Sequence, residues 1–200
     1  MTQKIDKFLE EIDFVENYYF SMEDAFCEIG VKCDLLFKAK LELYQKKYQE
    51  EEAKNMASEE SSIYFFTQSM IKKNSFLLTI IMLNQIWEQQ IQLFTSTTNQ
   101  KSAEKWLLKN KNIALDNFKE IEELHHLTNT LKHGDGKSAK LLQELNPSLF
   151  MDNFLDIENT LNYSNKLNKG IFTDNFSINV TRDDFIRYLQ GIQVFWRDFP

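Results

Sequence analysis

Five glycines and two prolines are all that the 200 residues contain, against roughly 12% for the pair in average proteins. Sheet-rich domains need many tight turns, and tight turns draw on glycine and proline for their backbone angles. So few of either predicts long helices with few connections: an all-α bundle of about five or six principal helices, forming one helical domain over residues 1–200. Apolar residues make up 42% of the chain and aromatic residues 14%. At this length that is enough for a core without disulfides or metals.

The periodicity of apolar residues divides the chain. Ile5, Phe8, Leu9, Ile12, Val15 and Tyr19 recur in steps of three and four, predicting a helix from Lys4 to about Phe20. Ser21, with Asp24 three residues on, is placed to be the N-cap of a second helical stretch reaching about Glu52, the pattern leaving open whether the two stretches are one helix or a hairpin. Residues 50–62 are polar and acidic, with Met56 the one large apolar side chain, and read as a helix end and an exposed connection. A long helix follows from about Ile63 to Phe94, whose middle, Phe76 to Leu83, is apolar all round and therefore central. Ser102 is placed to cap a short helix over 103–109. The next helix runs from about Ile113 to Lys132 and stops at His133-Gly134, with Gly134 as a left-handed cap. Ser138 opens a short helix to Leu145, ended by Asn146-Pro147. Residues 151–179 read as short helices and loop, with a small extended hairpin over Ile171–Val180. Thr181 with Asp184 marks the start of the last helix, 182–198.

Charge and cysteines narrow the partners. A net charge of −7 opposes non-specific binding to nucleic acid, which needs a positive field, but leaves room for a local patch. Arg182, Arg187 and Arg197 are the only arginines, so bidentate phosphate grips are few. Cys27 and Cys33, six apart, fit neither a CxxC pair nor a disulfide framework and read as buried free thiols of a reducing compartment. The stretch Met1 to Lys7 has no signal-peptide pattern, and Phe76 to Leu83 is too short to span a bilayer. The expectation is a cytoplasmic chain without a membrane segment. No cofactor is expected.

The three histidines, His125, His126 and His133, sit in one window. On a helix Glu122, His126, Asn129 and His133 fall within about 60° of each other, with Leu124, Leu127 and Leu131 on the opposite side. Leu115 and Phe118 project toward the polar stripe, so that side is buried at its start and polar at its end. Such a stripe is either a solvent face or the lining of a cleft or interface. His126 and His133 are about 10 Å apart along the axis and cannot share one zinc, and no HExxH occurs, so no metal site is expected. Gly134-Asp135-Gly136-Lys137-Ser138 lacks the earlier glycine of a phosphate loop, Leu131 standing there, and follows a helix rather than a strand. Lys101, Lys105 and Lys109 recur around Trp106, with Lys111 beyond. They read as a solvated face with Trp106 inward, contact with a nucleic-acid backbone being the alternative.

Asn129-x-x-Lys132-His133-Gly134, then Gly136-x-Ser138-Ala139 and Leu145-x-Pro147-x-Leu149-Phe150, with Phe195-Trp196 in the last helix, resemble a pattern in a group of uncharacterised bacterial proteins of about this length. An Asn-x-x-Lys-His ending on an inner helix is similar, more loosely, to the HEPN superfamily. Its members are all-α bundles, often dimeric, found in toxin–antitoxin pairs, abortive infection and antiviral defence, and the active ones are metal-independent ribonucleases. The resemblance implies action on RNA, or through a partner protein, at His133, Asn129, His126 and Lys132, with His133 as the proton-transfer residue. It also implies a homo-oligomer in which two helix ends complete one site. The HEPN ribonuclease motif separates an arginine from its histidine by four to six residues, and the corresponding positions here hold His126, Leu127 and Thr128. The competing expectation is a non-catalytic helical interaction subunit or oligomeric scaffold whose aromatic surplus feeds an interface.

Overall fold

A computed structural model describes residues 2–26, 28–114, 118–134, 136–150 and 178–199. The described residues are all-α. They form α1 (Thr2–Phe26), α2 (Ile29–Tyr44), α3 (Glu50–Thr95), α4 (Gln100–Lys111), α5 (Lys119–His133), α6 (Lys137–Leu145), a 3-10 turn (Pro147–Leu149) and α7 (Arg182–Arg197). Six of these helices have twelve or more residues, in keeping with the bundle expected from the scarcity of glycine and proline. No helix among the described residues is long and apolar enough to cross a membrane.

The chain divides into two compact units, one of Met1–Val15 with Ile80–Pro200 and one of Glu16–Thr79. In the larger unit Phe8, Ile12 and Val15 of α1, Trp87 and Ile91 of α3, and Phe195 and Trp196 of α7 are at most 3% exposed. Gln90 joins these three helices from within. Its amide nitrogen donates to the Phe8 carbonyl at 3.0 Å and to Glu11 at 3.1 Å, and its oxygen accepts from the Trp196 indole at 2.7 Å.

α1 runs through Ser21 without a break and ends at Phe26, and α2 follows from Ile29 as a separate helix. Residues 50–62 are not a connection but the opening turns of the 46-residue α3. Glu50, Glu51 and Glu52 occupy its first turn, where carboxylates oppose the positive end of the helix dipole. Ala53, Ala57 and Ser61 are its buried residues there, at most 6% exposed. They lie one turn apart on one side of the helix. The Cys33 thiol donates to the Ser61 carbonyl at 3.2 Å, Lys40 pairs with Glu60 at 2.7 Å, and the Tyr44 hydroxyl donates to the same carboxylate. The apolar run at Phe76–Leu83 is not buried all round either, because Leu78 is 63% exposed.

Other boundaries move by a few residues. Asn99, not Ser102, caps α4, accepting from the Ser102 N–H at 2.9 Å. α5 begins at Lys119 rather than near Ile113. Leu115 and Cys27 lie outside the described residues, as does the hairpin expected over Ile171–Val180 apart from its end, where Ile178 forms an antiparallel bridge to Phe150. Thr181 and Asp184 form the reciprocal cap of α7, each side chain bonding the other's backbone N–H.

α5 and α7 touch at Gly191. A Cβ built there would lie 2.7 Å from the Glu120 Cβ, an atom fixed to the backbone that cannot swing aside. Alanine would gain about 1 kcal/mol of helix propensity, but wedging the helices apart costs about 1–3 kcal/mol. Gly191→Ala is therefore expected to lower stability by about 1 kcal/mol net, read as a reduced midpoint in urea with the slope unchanged. A variant as stable as the parent would mean that the two helices are not in contact there.

Candidate functional site

α5 buries Ile121, Leu124, Leu127 and Leu131, at most 8% exposed, and packs against α6 and α7. On its polar side Glu122, His126 and Asn129 are half-buried, while Lys132 and His133 are exposed. The stripe thus passes from packed surroundings into solvent as the helix ends. At Gly134 the backbone turns away with φ 72° and ψ −141°, a region that is essentially glycine's alone but is not the left-handed cap expected from sequence. Its N–H bonds the Thr130 carbonyl at 2.8 Å. α6 then starts from Gly136, and Ser138 is its second residue rather than its cap.

The centre of the polar group is His125, which was not among the sequence candidates. Its Nδ1 lies 3.3 Å from Oε1 of Glu88 on α3, and the Asn129 amide nitrogen lies 2.9 Å from its Nε2. An amide N–H can only donate, so in the neutral form of the ring Nε2 accepts from it and the Nδ1 proton is given to Glu88. Glu88 also accepts from the Asn84 amide at 2.7 Å. Burial pushes the Glu88 carboxyl up, but the hydrogen bonds from His125 and Asn84, with the charges of His125 and Lys132, outweigh it and hold the group below the ordinary carboxylate range. Asn129 is therefore engaged with His125, not with His133. Glu88 is 37 positions from its partner in the chain, and helical spacing along α5 carries no signal of it.

His126 stands beside this chain of bonds, its ring centroid 5.5 Å from that of His125. Its Nδ1 is buried and has no hydrogen-bond partner among the described residues. Burial, then the charges of His125 and Lys137, lower its pKa from the ordinary 6.5, so at pH 7 the ring is neutral. A histidine with a lowered folded pKa binds fewer protons when folded than when unfolded. Its contribution to stability is whole above pH 6.5 and is lost as the pH falls through the folded value. His126→Gln is expected to flatten the decline of stability over that window, measured by urea unfolding at a series of pH values. An unchanged slope would place the titration elsewhere.

His133, the last residue of α5, makes no hydrogen bond or ion pair among the described residues. Lys132 acts on Glu88 and Lys137 on His126 through their charges, so two ammonium groups border the polar group. Arg187 is held by Glu123 at 2.6 and 3.1 Å, ten residues and so about 15 Å along α5 from His133. Among the described residues no three His, Cys, Asp or Glu side chains gather as a metal site would require. Lys101, Lys105 and Lys109 of α4 are exposed, Lys111 is half-buried, and Trp106 is half-buried with its ring centroid 6.1 Å from that of Phe94.

Part of the sequence pattern around His133 has a packing role. Ala139 and Leu142 are fully buried and Leu149 is 1% exposed. Asn146, just before Pro147, donates to Glu123 at 2.8 Å. No protein-family model, no curated protein and no solved structure matches the chain.

Proposed function

We propose that this chain is a HEPN-like bacterial protein of a defence or toxin–antitoxin type that acts on RNA at the C-terminal end of α5. One observation carries the reading: a neutral, half-buried imidazole at His126, an exposed one at His133, and the ammonium groups of Lys132 and Lys137 share one helix end. Cleavage of a phosphodiester by its own 2′-hydroxyl needs a base, an acid and a cation for the charge that builds on phosphate. His133 is the proton-transfer residue, free to meet substrate. His126 is the second imidazole, and Lys132 supplies a cation in place of the arginine that the superfamily carries elsewhere on the helix. Glu88, through His125, fixes Asn129 beside them.

The test is cleavage of RNA by the purified chain in the presence of a chelator, beside His133→Ala. The parent is expected to cleave, and the variant to lose about 10²–10⁴-fold in rate, the usual contribution of a positioned acid or base. Two folded, inert proteins would sink the enzyme reading. The second reading, an interaction subunit, has its own support in the smaller unit, where α2 has no buried residue.

A further inference from the structure

The candidate site leaves the chemistry of α2 unused. It is rich in apolar residues and buries none of them fully. Cys33, Lys40 and Tyr44 turn toward α3. The other side is solvent: Val31 is 62% exposed, Leu35 60% and Leu43 47%, with Glu28, Lys32, Ala39, Glu42 and Lys46 also exposed. Lys46 lies just past the helix, but the Tyr48 N–H still bonds the Tyr44 carbonyl at 3.0 Å, so the chain keeps its helical course.

Along that side Glu28, Lys32, Leu35, Ala39, Glu42 and Lys46 follow in steps of four, three, four, three and four. These residues share one side of the helix, Leu35 and Ala39 at its middle and charged residues at either end, with Val31 and Leu43 flanking it. That side is its own complement. Set antiparallel against a copy of itself about a two-fold axis at the level of Phe37, Leu35 meets Ala39 of the second copy, Lys32 meets its Glu42 and Glu28 meets its Lys46, each contact occurring twice. Other arrangements lose the match. A parallel pair sets Glu28 against Glu28 and Lys32 against Lys32. Sliding by one heptad sets Lys32 against Leu35 one way and Leu35 against Lys46 the other, stranding charge on apolar surface.

We propose that the exposed face of α2 is a docking surface for the α2 of a second copy of this chain, antiparallel and centred on Phe37. The proposal is independent of any activity at α5. The Glu28–Lys32 pair within the helix, 3.7 Å apart with both side chains more than half exposed, is weak and solvated and exchanges its partners for those across the axis. A helix of this length is about 24 Å long, so the contact falls in the small, transient class below about 1,200 Å². The dimer therefore forms with a concentration dependence over the micromolar range and weakens as salt screens its outer pairs.

Sedimentation velocity of the full chain, from low micromolar to several hundred micromolar, tests this. The parent is expected to move from monomer to dimer, and Leu35→Asp to stay monomeric. Lys32→Glu puts a carboxylate opposite Glu42 twice per dimer, and Glu42→Lys does the same with ammonium groups. Each alone is expected to weaken association about tenfold or more. Mixed in equal amounts, the two variants are expected to associate with each other more tightly than either does with itself, because every outer pair is again opposite in sign. Far-UV circular dichroism of these surface variants, unchanged from the parent, shows that folding is not what moved. A parent that stays monomeric, a Leu35→Asp variant that still dimerises, or a mixture no tighter than its components would each overturn the proposal.

Discussion

Trp196→Ala is expected to remove about 4 kcal/mol of unfolding free energy, the middle of the range for emptying a fully buried large aromatic site. The indole is 1% exposed. Its ring centroid lies 4.7 Å from that of Phe8 on α1, 5.7 Å from that of Phe94 on α3, and 5.6 Å from that of Phe199 beyond the end of α7. Alanine would leave a cavity among three separate elements, none of which can collapse into it without losing its other contacts. A second loss is polar. Gln90 is 1% exposed, and its oxygen accepts from the indole N–H. Without that donor a buried acceptor is orphaned, at about 1–3 kcal/mol. Trp196→Phe separates the two effects, because it keeps most of the apolar volume and removes the donor. It is expected to cost about half as much as alanine, as judged from the polar loss with a small volume loss. Urea unfolding followed by circular dichroism is the measurement, since Trp87 and Trp106 would confuse fluorescence. A phenylalanine variant as stable as the parent would mean that the Gln90 contact contributes nothing.

The fold class was legible because it depends on what a chain lacks. The cap of α7 was legible because Thr181 and Asp184 are three residues apart and the bond between them is local. The opening turns of α3 were not. Apolar periodicity finds a buried face through large side chains, and here the buried face is Ala53, Ala57 and Ser61, set among glutamates and small enough to look like loop. The candidate site was half legible. Spacing on α5 placed His126, Asn129 and His133 on one side, and all of them stand on the half-buried or exposed side of that helix. The carboxylate that orders the group comes from α3, and a pairing of two helices by one acid and one histidine leaves no trace in the spacing of either. Glu123 was overlooked for a related reason. It falls at the edge of the buried arc, one turn before Leu127 and two before Thr130, which are 0% and 1% exposed. A glutamate in that position must find partners, and that is a signal a sequence does hold. The scarce Arg187 and its neighbour Tyr188 are the groups that answer it.

That cluster supplies the second large effect. Arg187→Met is expected to destabilise the fold by about 3 kcal/mol, at the low end for breaking a buried ion pair from one side. Glu123 has a side chain 8% exposed, and it receives both guanidinium nitrogens of Arg187, the Asn146 amide at 2.8 Å and the Tyr188 hydroxyl. Burial, with the carboxylate beside it, pushes the Tyr188 phenol well above its ordinary value, so it remains a donor at any working pH. Methionine keeps the stem of Arg187 and removes its charge, leaving a buried carboxylate with two neutral donors. The low end of the range applies because the Arg187 side chain is 36% exposed, and water already screens part of the attraction. Glu123→Leu strands the opposite set, the Tyr188 hydroxyl and the Asn146 amide among them, while Arg187 can turn toward solvent and Asp184, which lies 3.2 Å away. The double variant removes both charges and is expected to be more stable than the sum of the single losses predicts, by about 1–3 kcal/mol of coupling. Additive losses in that cycle would mean that the two groups do not meet, and that α5 and α7 are held by their apolar faces alone. A full coupling would make Glu123 the point at which α5, α7 and the turn at Asn146 are fixed to one another, and so the anchor of the helix that ends in His133.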